Sequence, residues 1–408
     1  MGLAKRMLEE IWERGWESIG KSICPDCLEN AALKKLAEEN LDADECDYCG
    51  RTGEGVATDT DVVMTRIGES FHSEYRDPVH ELPYDSGEGG YQGEWFDTYD
   101  LVYEELGEDI GHNDFVQDMI LAFNGNGWCQ RDYFTLRADQ ALSFSWERFA
   151  KVVKHESRYL FLEHRDDDEY REQDEVEPAD MLRKLGELVV EAGLIRELEP
   201  GATIYRARDH TLGVAYTRAA ELGTAPREVS FANRMSPAGI PLFYGAFDAD
   251  TAVREAWAGP APGRELVSVG RFTNSATLAV IDLAALPEIP SIFDEARRHL
   301  RPPLRFLHEF SRRISAPVRT AARSEAEMVE YVPTQIVSEY FRTTFARDWG
   351  SAMQGLLYRS AADEGGICCV LFIAREDCVE TDPGDGRSLL VLSSAEVRDQ
   401  LPGSALFS

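Results

Sequence analysis

The chain has 408 residues, 43% of them hydrophobic, and a formal net charge of −32. That is enough apolar material for two or three domains with cores of their own, while no run of about 18 apolar residues predicts a membrane-spanning helix. Almost all of the acidic excess lies in residues 1–200, which disfavours nucleic acid as a partner. Residues 201–408 are nearly balanced, and their basic residues are all arginine.

Leu3, Met7, Leu8, Ile11 and Trp12 recur at helical spacing and predict an amphipathic helix over residues 3–20. Lys5, Arg6, Glu9 and Glu10 have no apolar stretch behind them, so no secretory signal is expected and the location is expected to be cytoplasmic. A cysteine-bearing module follows over residues 23–52. Residues 55–80 read as a mostly polar helix. Gly87, Gly89, Gly90 and Gly93 mark a loop over residues 85–95; it follows no apolar strand and opens no helix, so it is not a dinucleotide-binding fingerprint. Helical spacing resumes from 98 to 161 and is broken at Asn124-Gly125-Asn126-Gly127.

The charged run over residues 163–180 has almost no apolar content and reads as a solvated linker. A helix over residues 182–194 ends at Gly193. Beyond Pro200 short apolar strands are predicted over 203–205, 242–246, 266–272, 278–281, 368–373 and 389–392, with helices near 249–257, 303–314 and 335–345. The expected fold class is α+β, in three parts. A zinc-knuckle and α-helical domain spans 1–165, an acidic linker and helix 166–195, and an α+β domain 196–408.

Cys24-Pro25-Asp26-Cys27 and Cys46-Asp47-Tyr48-Cys49 have the spacing C-x2-C-x18-C-x2-C. Two tight turns can each aim two thiolates at one ion, the tetrahedral shell of a structural Zn²⁺. A reducing compartment argues against disulfides, and no thioredoxin-like βαβ context supports a redox pair. Four thiolates close the shell, which excludes catalysis at the metal. Cys129, Cys368, Cys369 and Cys378 read as small buried apolar residues.

Residues 5–165, with the cysteine quartet and the segment Trp146 to Tyr159, resemble the HEPN/RES N-terminal domain. Arg148 and His155 have the spacing of the Arg-x4–6-His motif of HEPN ribonucleases, and seven residues is two helical turns. The resemblance would give His155 general acid–base work and Arg148 a phosphate. The domain's negative charge works against an RNA substrate, so a sensing, docking or autoinhibitory role is expected instead.

Residues 198–380 resemble the RES domain. The likeness is carried by Tyr205-Arg206-Ala207-Arg208, Arg234 before Pro237 to Pro241, Phe243-Tyr244-Gly245-Ala246, Glu255 within Thr251 to Trp257, Tyr331 to Gln335, and Gly355 to Ser360. The resemblance implies an ADP-ribosyltransferase-like fold and destruction of NAD⁺ as a substrate, with an antitoxin as a usual partner. It implies a catalytic set of Arg206, Glu255 and Ser360, with NAD⁺ bound by Arg206, Arg234 and Tyr244. Forked guanidinium donors suit a pyrophosphate, an aromatic face suits nicotinamide, and a carboxylate beside the ribose stabilises an oxocarbenium-like transition state.

Each assignment has a structural alternative. Arg206 and Arg208 could hold the fold, and core packing competes for Tyr244. Ser338 is a second candidate for the serine. His210 and Gln335 lie near matched segments without a role. The expected function is NAD⁺ cleavage by hydrolysis or phosphorolysis, as a toxin or anti-phage effector controlled by the N-terminal domain. Homo-oligomerisation is an open partner expectation. The alternatives are ADP-ribosyl transfer to a macromolecule, an RNA-processing or RNA-binding HEPN protein with an inactive second half, and a non-enzymatic zinc-linked interaction module.

Overall fold

The computed structural model describes residues 14–163, 175–256, 266–315 and 325–398, apart from 124, 126, 212, 351, 385, 386 and 388. Most of the helix expected over 3–20, Trp257 and most of the charged run over 163–180 lie outside these residues. The chain divides into two compact units, residues 1–136 with 289–302, and residues 137–288 with 303–408.

In the first unit, strands β1 (Ser22–Ile23), β2 (Ala43–Glu45) and β3 (Thr52–Asp59) form a three-stranded sheet with β3 in the centre. Helix α1 (Ala31–Glu39) starts at Asn30, whose side-chain oxygen accepts the N–H groups of Ala32 and Leu33. Asp59 caps helix α2 (Thr60–Glu74) by accepting from Asp61 N–H at 2.8 Å. The helix expected over 55–80 is therefore corrected to a strand followed by a helix. Val56 and Thr58 suit extended backbone, and β3 satisfies its ladder on both edges, Thr58 against Ile23 and Ala57 against Ala43.

Helix α2 buries Val63, Met64, Ile67 and Phe71 on one face. Phe71 and Phe123 meet Trp128 edge-on at 5.2 and 5.5 Å, and the indole N–H donates to Thr98 Oγ1 at 3.0 Å. Helix α3 (Asn113–Ala122) adds Phe115 and Met119. The glycine loop contains a short hairpin, Tyr84–Asp85 against Gly90–Tyr91.

Residues 289–302 pack into this first unit through specific bonds. Asn30 Nδ2 donates to Ser291 Oγ at 3.0 Å, and Ile292 N–H donates to Glu108 Oε1 at 3.0 Å. Arg301, 3% exposed at its side chain, pairs with Glu74 and Glu108. Removing both carboxylates would leave a buried cation without a charged partner, a loss of about 3–5 kcal/mol.

In the second unit, helix α4 (Ala138–His155) buries Leu142, Trp146, Phe149 and Val153. Trp146 meets Phe310 edge-on at 4.9 Å, and Ser143 Oγ donates to Glu309 at 2.7 Å. Helix α5 (Met181–Glu191) ends before Gly193 in the left-handed region, φ 66°. The sheet is formed by β4 (Ile195–Leu198), β5 (Thr203–His210), β6 (Phe243–Ala246), β7 (Leu266–Asn274), β8 (Leu278–Asp282), β9 (Gly355–Arg359), β10 (Ile367–Leu371), β11 (Cys378–Val379) and β12 (Leu390–Arg398). Its nine strands run in the order β11–β12–β7–β5–β6–β10–β9–β8–β4.

Most pairings are antiparallel; β8–β9 and β11–β12 are parallel. Helices α6 (Ala249–Ala256) and α7 (Val332–Thr343) complete the frame of the site. Strand β9 has no predecessor in the sequence reading. Gly355, Leu356, Leu357 and Tyr358 are all buried, so the alternation that marks a half-exposed strand is absent.

Packing thus places helix α4 with the second unit and residues 289–302 with the first. The boundaries drawn from composition, at 165 and 195, follow a different division.

Candidate functional site

The four cysteines of the first unit converge. Cys24 leads into a short 3-10 turn (Pro25–Cys27), closed by Cys27 N–H to Cys24 O at 3.0 Å. The second turn closes with Gly50 N–H to Cys46 O at 2.9 Å, and Gly50 takes φ 71°, a conformation that favours glycine. The Sγ atoms of Cys24 and Cys27 are 3.6 Å apart, those of Cys24 and Cys49 3.6 Å, and those of Cys27 and Cys46 3.8 Å.

All four sulfurs lie within 4.8 Å of one another. A tetrahedral metal with bonds of about 2.3 Å sets sulfur separations of about 3.8 Å, so the donor set fits one ion and excludes a formed disulfide. Burial pushes the Cys46 thiol up, but the N–H groups of Cys49, Cys24 and Tyr48 turned toward it bring it down to about 7. Burial and the neighbouring sulfurs push Cys27 up. Crowded thiols of this kind gain from sharing a cation.

In the second unit the site is built at the turn between β9 and β10. Ser360 N–H donates to Gly366 O at 2.9 Å, and Ser360 Oγ accepts from the N–H groups of Ala362 (3.1 Å) and Asp363 (3.0 Å). The same hydroxyl donates to Glu255 Oε1, which also accepts Ala361 N–H at 3.0 Å. Asp363 fixes the helix that carries Glu255. It accepts from Thr251 Oγ1 at 2.6 Å and pairs with Arg254 at 3.0 Å. Gly366 permits this approach, because a Cβ there would lie 2.5 Å from Thr251 Oγ1. Glu255 itself is exposed, so one oxygen is oriented while the group stays open to a ligand.

Two tyrosines stand on the strands beside β10. Tyr244 OH accepts Met235 N–H at 3.2 Å and bonds Ser236 Oγ at 2.9 Å. Burial pushes its phenol up to about 12, while Arg206 and Arg234 pull it the other way. Burial pushes Tyr358 well up, Cys368 and Glu255 add to this, and Arg234 opposes it. Tyr358 pairs with Cys368 in the sheet, and Cys368 with Ala246. Tyr244 on β6 pairs with Val370 and Tyr358 on β9 with Cys368, so the two tyrosines flank β10 from either side. No hydrogen bond or ion pair among the described residues joins Arg206 to Glu255 directly.

Arg206 stands on β5 where the ladder to β6 consists of one pair, Tyr205 with Ala246. Its guanidinium lies 5.0 Å from the Phe243 ring centroid. Burial, then Arg208, brings it down to about 10, so it remains a cation at neutral pH. Its Nη1 is buried and has no hydrogen-bond partner among the described residues. A buried donor left open in this way is costly unless a ligand completes it. Arg208, by contrast, donates to Gly223 O at 3.1 Å.

Arg234 donates from Nη1 to Ile314 O at 2.7 Å. The loop carrying it is held by α7. Thr334 Oγ1 donates to the carbonyl of Arg234, and Gln335 Nε2 donates to those of Asn233 (2.8 Å) and Ser236 (3.3 Å). These carbonyls give Thr334 and Gln335 a positioning role that sequence reasoning missed. Their only signal was membership of the segment Tyr331 to Gln335. Tyr358 was missed for a related reason, having no charge or spacing to mark it.

Ser338 is buried on α7, and its hydroxyl has no partner among the described residues, whereas Ser360 contacts Glu255. His210 is buried and bonds Ser268 Oγ at 2.9 Å, a structural contact. Arg148 is tied to Glu175 at 3.2 Å, while His155 is exposed and lines a cavity of about 480 Å³ with Lys151, Lys154 and Arg313. No bond among the described residues joins Arg148 to His155.

Helices flanking a mostly antiparallel sheet make this an α+β protein, and its second unit carries an oriented carboxylate at Glu255 and an open buried donor on Arg206. Residues 39–167 match the family model HEPN/RES N-terminal domain 1, and residues 203–390 match the RES domain. The chain is thus a RES-domain protein with a HEPN/RES-type N-terminal domain, and the RES family is linked to NAD⁺-related toxin activity. No curated protein and no solved structure matches the chain. No helix among the described residues is long and apolar enough to cross a membrane.

Proposed function

We propose that this protein degrades NAD⁺ by cleaving the bond between nicotinamide and ribose. The observation that carries the reading is Glu255, held at Oε1 by Ser360 and Ala361 and left exposed, in the unit that also holds Arg234 and the open Nη1 of Arg206. The arginines bind the pyrophosphate, and the open Nη1 of Arg206 is a donor available for it. Tyr244 packs against the nicotinamide.

As the C1′–N bond breaks, its electron pair passes to the nicotinamide nitrogen and neutralises the ring's positive charge. The leaving group therefore needs no proton. Positive charge develops on the ribose, and Glu255 stabilises it. Water or inorganic phosphate then bonds to C1′; for water, the released proton passes to solvent. Ser360 acts by orienting Glu255.

The cysteine quartet holds a structural Zn²⁺, supported by the sulfur spacing and the all-thiolate donor set. The HEPN/RES-type domain controls the enzyme, which acts as a toxin or defence effector in the cytoplasm. An antitoxin and self-association are partners consistent with this role.

The test is nicotinamide release from NAD⁺ by the full chain, with and without phosphate, beside Glu255→Ala. Release that is lost in the variant supports the reading, and phosphate dependence identifies phosphorolysis. ADP-ribose recovered on a macromolecule would replace it with ADP-ribosyl transfer. No release by the full chain, and none when NAD⁺ is offered at millimolar concentration with a candidate antitoxin absent, would count against it.

A further inference from the structure

A second cavity in the same unit, of about 780 Å³, lies between the segments 225–228 and 239–241, helix α7 and the residues that follow β10. Its size is that of a small-molecule site. Arg227, Arg342 and Arg375 line it together with apolar surface from Ile240, Pro241 and Phe372.

None of the three arginines forms an ion pair with any described residue, although the chain carries 74 acidic residues against 42 basic ones. The nearest hydrogen bond of Arg375, to Thr224 O, is 3.5 Å long. Glu228, Glu339 and Glu376 also line the cavity without reaching these arginines. Burial raises Glu339, while Arg342 opposes that shift.

The cavity is connected to the site by arginines. Arg375 is close enough to Arg208 to help lower it, after burial. Arg208 is two residues from Arg206, on the same face of β5. Tyr205 stands opposite Ala246, and the strands are antiparallel. Moving from Arg206 to Arg208 therefore runs along β6 from Ala246 toward Pro241, which lines the cavity. Ala246 is the end of β6 that pairs with Cys368, beside Glu255. Five residues of extended chain cover about 16 Å, the reach of an extended dinucleotide rather than of its nicotinamide half.

We propose that the cavity walled by Arg227, Arg342 and Arg375 binds the adenylate half of the dinucleotide, with the pyrophosphate between these arginines and the pair Arg206 and Arg234 and the base against Ile240, Pro241 and Phe372. This inference rests on the NAD⁺ reading of the Glu255 site and assigns the far end of the same substrate. It makes NAD⁺ a better substrate than nicotinamide mononucleotide, which carries the same scissile bond but no adenylate.

The experiment compares the full chain with Arg342→Ala/Arg375→Ala in two measurements. The first is nicotinamide release from NAD⁺ and from nicotinamide mononucleotide, and the second is AMP binding by calorimetry. Expected are a KM for NAD⁺ raised about 10-fold or more, since two charged hydrogen bonds are lost, kcat within about 2-fold, and an unchanged kcat/KM for the mononucleotide. AMP binds the parent chain and is lost from the variant.

An unchanged KM for NAD⁺, an equal loss on both substrates, or AMP binding that survives the substitutions overturns the assignment. If neither substrate releases nicotinamide, the NAD⁺ reading fails. AMP binding abolished by the substitutions would still support the cavity as an adenylate site, and the absence of AMP binding would overturn it.

Discussion

In the cysteine knuckle, four sulfur atoms come from two turns separated by 18 residues, and each turn is closed by its own backbone bonds. At the Glu255 corner, the atoms that matter come from residues 206, 234, 244, 255, 335, 358 and 360, on five strands or helices and two loops. The knuckle needs little outside its own short segment to bring its ligands together. The corner exists only when β5, β6, β9 and β10 lie side by side and α7 holds the loop of Arg234. Local closure makes the first site legible in a short stretch of sequence, whereas the second rests on support spread over distant segments.

The comparison can be broken most decisively at the metal. Cys27→Ser/Cys46→Ser is expected to lower bound zinc from about one ion per chain to near zero, as measured by native mass spectrometry. The first unit should then lose the part of its folding free energy coupled to metal, on the order of 10 kcal/mol in small zinc modules. Retained zinc at one ion per chain would show that the quartet is not the binding site.

Next in size is Glu255→Gln, which keeps the shape and removes the charge. Nicotinamide release is expected to fall about 100- to 1,000-fold, or about 3–4 kcal/mol in the transition state, without a change in Tm. Ser360→Ala should cost less, about 10-fold, because Ala361 N–H still holds Oε1. Its effect should fall on kcat more than on KM, the signature of a misaligned carboxylate.

Gln335→Ala sharpens the contrast in support. It frees the carbonyls of Asn233 and Ser236, with an expected stability loss of about 1–3 kcal/mol and a several-fold rise in the KM for NAD⁺ as Arg234 loses its place. A fall in Tm with unchanged KM would make Gln335 a purely structural residue.

The smallest effect concerns Glu221. Its carboxyl is held down to about 2 by Arg218, then by the N–H groups of Thr217 and Arg218. The folded value lies below the ordinary one of 4.5, so its contribution is fully present above that value and is lost as the pH falls through about 2. Glu221→Gln should therefore lower Tm slightly at pH 7, and the difference should shrink as the pH falls toward 2. A difference that stays constant with pH would remove the charge from the explanation.

Much of this molecule was readable before any fold was known. The spacing of Cys24, Cys27, Cys46 and Cys49 is enough for a four-sulfur site, because a chelate closed over a few residues depends on local backbone alone. Periodicity located helices α4, α5 and α6 and most strands of the large sheet, since each has a face whose burial imposes a repeat. Where burial is complete, as in β9, or where glycines interrupt the pattern, as in β3, the repeat disappears and the element could not be read.

Arg206, Arg234, Tyr244, Glu255 and Ser360 were chosen through a family likeness, because no spacing relates residues so far apart. Ser338 stood beside Ser360 as a second candidate, and the fold puts the Ser360 hydroxyl, not that of Ser338, in contact with Glu255. The roles of Thr334, Gln335 and Tyr358, the open Nη1 of Arg206 and the arginine-lined cavity came from tertiary structure as well. Hydrogen bonds and buried charges act over a few ångströms in space, and only the folded chain sets those distances between residues more than a hundred positions apart.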